Sequence, residues 1–178
     1  MAKKIILPEK TPAEIVEASA HMGAHFSVDG RHRLALWRRW KASRPMVTFV
    51  GLNPSTANHM TNDPTITRVT QFVYAWNYGG VFMANLYSLI SPNPNALLGG
   101  DALCTSLETW ARYMVESSEI VVFAWGSWPG LSDIAQRREY YLELCQQVGR
   151  PVYCLGTNKD GQPKHPLYLK KTTKLIKL

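Results

Sequence analysis

The sequence predicts an α/β fold: a three-layer sandwich with a four-stranded, mainly parallel sheet and an N-terminal β-hairpin. Three observations carry this. Four short apolar runs, at 47–50, 81–86, 120–126 and 152–156, are near-continuous, as strands buried on both faces are. Helical patterns separate them, which makes βαβ units. Asp29-Gly30 between two strand-like runs is a strong hairpin signal.

The elements follow in order. Thr11-Pro12-Ala13-Glu14 begins a short helix, with Thr as the cap and Pro at the first position. The hairpin runs from His25 to Trp37 around Asp29-Gly30. The first core strand covers 47–50 and breaks into Gly51-Leu52-Asn53-Pro54-Ser55, a tight loop. Asp63-Pro64-Thr65 caps a helix whose Ile66, Val69, Phe72 and Val73 share one face. Tyr78-Gly79-Gly80 ends it before the second strand, which closes on Asn85-Leu86. Residues 91–100, rich in Pro, Asn and Gly, read as a loop; a helix is expected over about 101–116. The third strand ends in Trp125-Gly126, a helix covers about 134–148, and the fourth strand is 152–156. The basic tail 170–177 reads as a short strand or helix. Residues 1–30 are expected to hold the N-terminal helix and first hairpin strand, and residues 31–178 a single α/β domain.

Composition narrows the function. An apolar fraction of 46% with 6 Trp suits a folded globule. Lys plus Arg number 20 against 13 Asp plus Glu, a net charge of +7 that suits a polyanion, nucleic acid before membrane, as well as a merely basic soluble protein. Cys104, Cys145 and Cys154 lack CxxC spacing and are odd in number, which points to reduced thiols and a cytoplasmic setting. Ile5-Ile6-Leu7 before Pro8 is too short for a signal-peptide core, and no apolar run approaches a membrane span. His21 and His25 stand at i,i+4 without a carboxylate-rich partner and read as a solvated helix face rather than metal ligands.

Phosphate-loop, dinucleotide, HExxH and GxSxG signatures are missing from the chain. What remains is polar residues at strand ends, where open α/β sheets bind ligands. Asn53 carries an amide that donates and accepts but has no basicity, so it suits orienting a water. Asn85 ends an apolar strand and suits reading the edge of a planar ligand, or capping the strand. His165, between Lys164 and Pro166, suits donating to negative charge on a departing group. Such a set fits glycosidic cleavage through an oxocarbenium-like transition state. The same residues also read as turn and loop residues. Trp125 suits stacking in a pocket or core packing. Asp63 reads first as a helix cap and second as a catalytic carboxylate.

The ordered motifs Asn53-Pro54-Ser55-Thr56-Ala57, Asp63-Pro64-Thr65-Ile66-Thr67-Arg68, Trp76-Asn77-Tyr78-Gly79-Gly80, Ala124-Trp125-Gly126 and His165-Pro166-Leu167-Tyr168-Leu169 resemble a domain-of-unknown-function family of bacteria and phages, over about residues 31–169. A more distant resemblance is to the uracil-DNA glycosylase superfamily. Gly51-Leu52-Asn53-Pro54 is similar to its first loop, with Asn as in the mismatch-specific branch. Asn85 falls at its base-reading position, 122–126 on its Trp-Gly strand and His165-Pro166 on its late loop. Leu167-Tyr168 depart from it, standing where that loop carries Ser-Pro for minor-groove insertion and phosphate contact.

That resemblance implies a DNA glycosylase-like protein acting on a flipped pyrimidine or modified base, because the bond is inaccessible inside the stack. Asn53 and His165 would be catalytic. Gly51, Leu52, Pro54, Ser55, Asn85, Trp125 and Gly126 would bind substrate, and Lys159, Lys164, Leu167, Tyr168 and Lys170 would contact nucleic acid. No metal or organic cofactor is implied; DNA is the expected partner and a monomer the expected state. The alternatives are an enzyme acting on free nucleotides or nucleosides, a base-modifying enzyme, or a non-catalytic reader of modified nucleic acid.

Overall fold

The computed structural model describes residues 10–19 and 21–178. The apolar stretch Ile5-Ile6-Leu7 lies outside them. Helix α1 spans Pro12–Ala18 and opens on a capping box, in which Thr11 and Glu14 satisfy each other's backbone N–H groups. Strands β1 (Met22–Phe26) and β2 (Arg33–Arg39) form the hairpin, paired antiparallel. Strand β3 is Met46–Gly51, helix α2 Pro64–Ala75 and strand β4 Gly80–Asn85. Helix α3 (Leu107–Glu116), strand β5 (Ser118–Phe123), helix α4 (Ile134–Gln147), strand β6 (Val152–Cys154) and the two-residue strand β7 (Ile176–Lys177) complete the order.

The expected four-stranded sheet is corrected to a seven-stranded mixed one, ordered β1-β2-β4-β3-β5-β6-β7. Strands β4, β3, β5 and β6 pair parallel, whereas β1–β2, β2–β4 and β6–β7 pair antiparallel. The hairpin is thus no appendage. β2 lies along β4, with Leu36 opposite Met83 and Trp37 opposite Phe82, and it extends the central sheet. Alternation along the central strands explains the uniform apolar runs. Val50, Ala84, Val121 and Phe123 face one core shared with α1, α3 and α4. Val47, Phe49, Val81, Met83 and Val122 face a second core under α2.

Three boundaries differ from expectation. The third helix begins at Leu107 rather than near residue 101, after the loop that carries Ala102 and Cys104. The third strand ends at Phe123, so Trp125 and Gly126 belong to the loop beyond it, where Gly126 adopts φ +80°. The fourth strand closes at Cys154. His25 lies in β1, not on a helix, and its ring stacks on Trp110 with centroids 4.6 Å apart. The three cysteines are free thiols, and burial pushes Cys145 up to about 12. Among the described residues no helix is long and apolar enough to cross a membrane.

This topology creates one special place. From β3 the chain crosses to α2 on one face, while from neighbouring β5 it crosses to α4 on the other. The loops leaving two adjacent parallel strands therefore part in opposite directions, and a crevice opens at their C-terminal ends.

Candidate functional site

A cavity of about 210 Å³ occupies that crevice. The loop after β3 contributes Gly51, Leu52, Asn53 and Ser55, and the end of β4 contributes Asn85. Trp125 and Trp128 come from the loop after β5, and His165 from the segment after β6. Asn53, Asn85 and His165, separated by up to most of the chain, thus line one cavity. Pro54 and Gly126 do not line it. The Pro54 carbonyl instead accepts from Ser91 N at 2.9 Å, and Gly126 N donates to the Pro163 carbonyl at 3.0 Å. Both fasten loops that shape the wall.

Asn85 is the most informative of these residues. It is 2% exposed and lies opposite Gly51 in the β3–β4 register. Its backbone carbonyl accepts from the Tyr141 hydroxyl at 3.0 Å, yet among the described residues its side-chain amide has no hydrogen-bond partner. An amide that lines a cavity and is not used by the fold offers a donor and an acceptor side by side to the edge of a planar ligand. Gly51 makes the space. A Cβ there would lie 3.0 Å from Asn85 Oδ1 and 2.6 Å from Met83 Cε.

Asn53 is placed differently. Its Nδ2 donates to the carbonyls of Pro54 (3.0 Å), Leu89 (3.2 Å) and Ser91 (2.9 Å), tying the first loop to the 89–91 segment. The amide protons are consumed by the fold, so what Asn53 offers the cavity is its carbonyl oxygen, an acceptor for a water proton.

His165 caps a short 3₁₀ helix (Pro166–Tyr168), its Nδ1 accepting from Leu167 N at 3.4 Å. An Nδ1 that accepts places the ring proton on Nε2. Burial lowers the imidazole pKa below its ordinary value, against the opposing charge of Asp63. At neutral pH the ring is therefore an uncharged donor. Gly126 lies beside it, and its φ of +80° is a conformation that other residues rarely adopt.

Asp63 is the helix cap that the sequence predicts. Its Oδ1 accepts from Ile66 N at 2.8 Å as the cap of α2, and the residue also lines the cavity. Its negative charge acts on Arg33, Arg38 and His165 alike, raising the pKa of each against burial. Arg33 was not singled out by the sequence. It is 2% exposed, lines the cavity, and burial lowers its pKa to about 10. The available signal was an arginine heading the apolar run Leu34-Ala35-Leu36-Trp37. Ser91, Pro92 and Pro94, read only as loop, also form the wall. Loop composition does not reveal where a loop folds back.

The expected nucleic-acid contacts differ in exposure. Lys159 and Lys170 are exposed, and Lys164 is half-buried with its aliphatic stem against Gly156. Tyr168 is 84% exposed, with its ring 5.7 Å from that of His165. Leu167 lines a neighbouring hollow beside Pro64 and Arg68, which Asp63 shares with the cavity. Trp125 is fully buried, its indole N–H donating to Gln162 Oε1 at 2.8 Å; Trp128 donates to the Trp125 carbonyl at 2.7 Å.

Residues 33–167 match the family described as "Protein of unknown function (DUF1643)". No curated protein matches the chain. No solved structure matches it either.

Proposed function

The chain belongs to this family, and we propose that it is a DNA glycosylase-like protein, cleaving the N-glycosidic bond of a flipped pyrimidine or modified base. One observation carries the reading: the Asn85 side chain, with no hydrogen-bond partner among the described residues, shares a cavity with His165, whose Nδ1 accepts from Leu167 N and whose pKa burial lowers. An amide with a donor and an acceptor side by side matches the N–H and C=O of a pyrimidine edge. A neutral imidazole donor matches the negative charge that grows on a departing base. The motif order shared with the uracil-DNA glycosylase superfamily supports the same reading.

The reaction then needs little from the protein. As the C1′–N bond breaks, its electron pair moves onto the base, and His165 donates a hydrogen bond that strengthens as this charge develops. Asn85 holds the base edge. The carbonyl oxygen of Asn53 orients a water toward the oxocarbenium-like C1′. As the C1′–O bond forms the water gives up a proton to solvent, and the departed base anion takes one up, leaving free base and an abasic sugar. The exposed lysines Lys159 and Lys170, with Lys164, supply phosphate contacts. In this reading the exposed Tyr168, with Leu167, serves as a wedge into the gap left by the flipped base.

A panel of duplex and single-stranded oligonucleotides carrying different modified pyrimidines tests this, scored for abasic sites and for gel retention. Cleavage that His165→Ala slows by about 10²-fold or more, with retention unchanged, is the expected result. Retention without cleavage of any member would make the protein a reader. Neither cleavage nor retention would move the substrate to free nucleosides or nucleotides.

A further inference from the structure

Two arginines of β2 are buried, and the contrast between them is informative. Arg38, 5% exposed, is well used by the fold: its Nε donates to Asn62 Oδ1 at 2.8 Å, Nη1 to the Trp37 carbonyl at 2.8 Å and Nη2 to the Asn58 carbonyl at 2.7 Å. It staples the long loop after β3 to the sheet. Arg33, 2% exposed, donates from Nη1 to the Ala57 carbonyl at 2.7 Å, and its enclosed Nε has no partner among the described residues. Among the described residues no carboxylate lies within ion-pair distance of either arginine. A planar guanidinium offers five donors in a fork that matches a two-oxygen anion, and Arg33, which lines the cavity, spends only Nη1 on another described residue.

The electrostatics point the same way. Arg33 and Asp63 are the buried charged residues that line this cavity, and among the described residues no ion pair joins them. A buried charge left uncompensated is costly, and a ligand that brings the missing charge recovers that cost.

We infer that the cavity is built for a ligand carrying an oxyanion, a carboxylate or phosphate, that the Arg33 guanidinium binds. The inference rests on the same cavity being a pyrimidine site, and it adds a specificity-determining residue and a substrate class: an acidic substituent on the base, or the phosphate of a nucleotide. Asn85 reads the base edge common to all pyrimidines, and Arg33 selects among them by charge. A neutral pyrimidine would enter at the cost of leaving the guanidinium unpaired.

The test is calorimetric, with the full chain at fixed low chloride. Thymidine, 5-carboxy-2′-deoxyuridine and thymidine 5′-monophosphate are titrated into the wild type, Arg33→Met and Arg33→Lys. In parallel, acetate and inorganic phosphate are scored for thermal stabilisation of each. The wild type is expected to bind one charged probe about tenfold or more tightly than thymidine. Arg33→Met should lose that preference, and Arg33→Lys should recover part of it. Preference for the carboxy-nucleoside locates the oxyanion on the base, and preference for the monophosphate locates it on the nucleotide. If no nucleoside binds but acetate or phosphate stabilises the wild type and not Arg33→Met, the oxyanion site stands and the pyrimidine reading falls. Equal affinity for neutral and charged probes overturns the inference. So does a charge preference that survives Arg33→Met, or the absence of both nucleoside binding and anion stabilisation in the wild type. Should Arg33→Met fail to fold, the wild-type selectivity and the partial response of Arg33→Lys decide the matter.

Discussion

Replacing Asp63 separates two contributions that one carboxylate makes at once. Asp63→Asn keeps an oxygen able to accept from Ile66 N, so the cap of α2 survives, but it removes the negative charge that acts on Arg33, Arg38 and His165. Asp63→Ala removes both. The cap is worth about 1 kcal/mol, which for a domain of this size is roughly 2–4 °C in Tm. Breaking a directly paired buried ion costs about 3–5 kcal/mol. Asp63 stands outside ion-pair distance of both arginines, so the charge term should fall below that range, to less than about 3 kcal/mol. The expected order of stability in urea denaturation is wild type, then Asp63→Asn, then Asp63→Ala, with the last gap near 1 kcal/mol. Because Asp63 raises the His165 pKa against burial, its loss should move the His165 titration, followed by NMR, further down in both variants. In an Arg33→Met background the charge term of Asp63→Asn should shrink, since the buried cations it balances are reduced by one. Equal stability of the Asn and Ala variants would remove the cap from this account. An unmoved His165 titration would remove the charge coupling. Loss of turnover in a stably folded Asp63→Asn protein would make Asp63 a catalytic carboxylate, displacing Asn53 from the role of orienting water.

Two further outcomes follow from the same geometry. Burial holds the folded-state pKa of His165 below its unfolded value, so the unfolded chain binds the extra proton first as pH falls. The neutral ring therefore contributes stability that is fully present above about pH 6.5 and lost as pH drops toward the lowered folded value; His165→Ala should flatten that part of the stability–pH curve. Lys164→Ala should weaken duplex binding irrespective of sequence and reduce the slope of log affinity against log salt by about one, from a wild-type slope of roughly −0.9 per phosphate neutralised. An affinity insensitive to salt would mean that these lysines do not meet a phosphate backbone.

Much of the scaffold was legible locally. Thr11 and Asp63 cap the helices that follow them, because a short side chain with an acceptor satisfies free backbone N–H groups within one turn. The four apolar runs became adjacent parallel strands, since only strands covered on both faces can be apolar at every position. The edges of the sheet were less legible. The seventh strand has just two residues, both exposed, and such a strand is defined by its partner rather than by its own pattern. The third helix starts at Leu107 rather than near residue 101, because Ser88 and Leu89 donate their backbone N–H groups to the Ala102 carbonyl, holding that segment against the sheet.

The sequence by itself determined which polar residues sit at strand ends, and so that Asn53, Asn85 and His165 would be available at one rim. Period and punctuation are local properties, and they survive whatever the rest of the chain does. Only the tertiary structure decided what each of them has left to give. The fold consumes the amide protons of Asn53 on three backbone carbonyls, leaves the amide of Asn85 without a partner, and places the proton of His165 on Nε2. It also brought Arg33 to the cavity with its Nε unpaired. Hydrogen-bonding capacity at a site is what remains after the fold has taken its share. That remainder is set by contacts between segments distant in sequence, which no local pattern encodes.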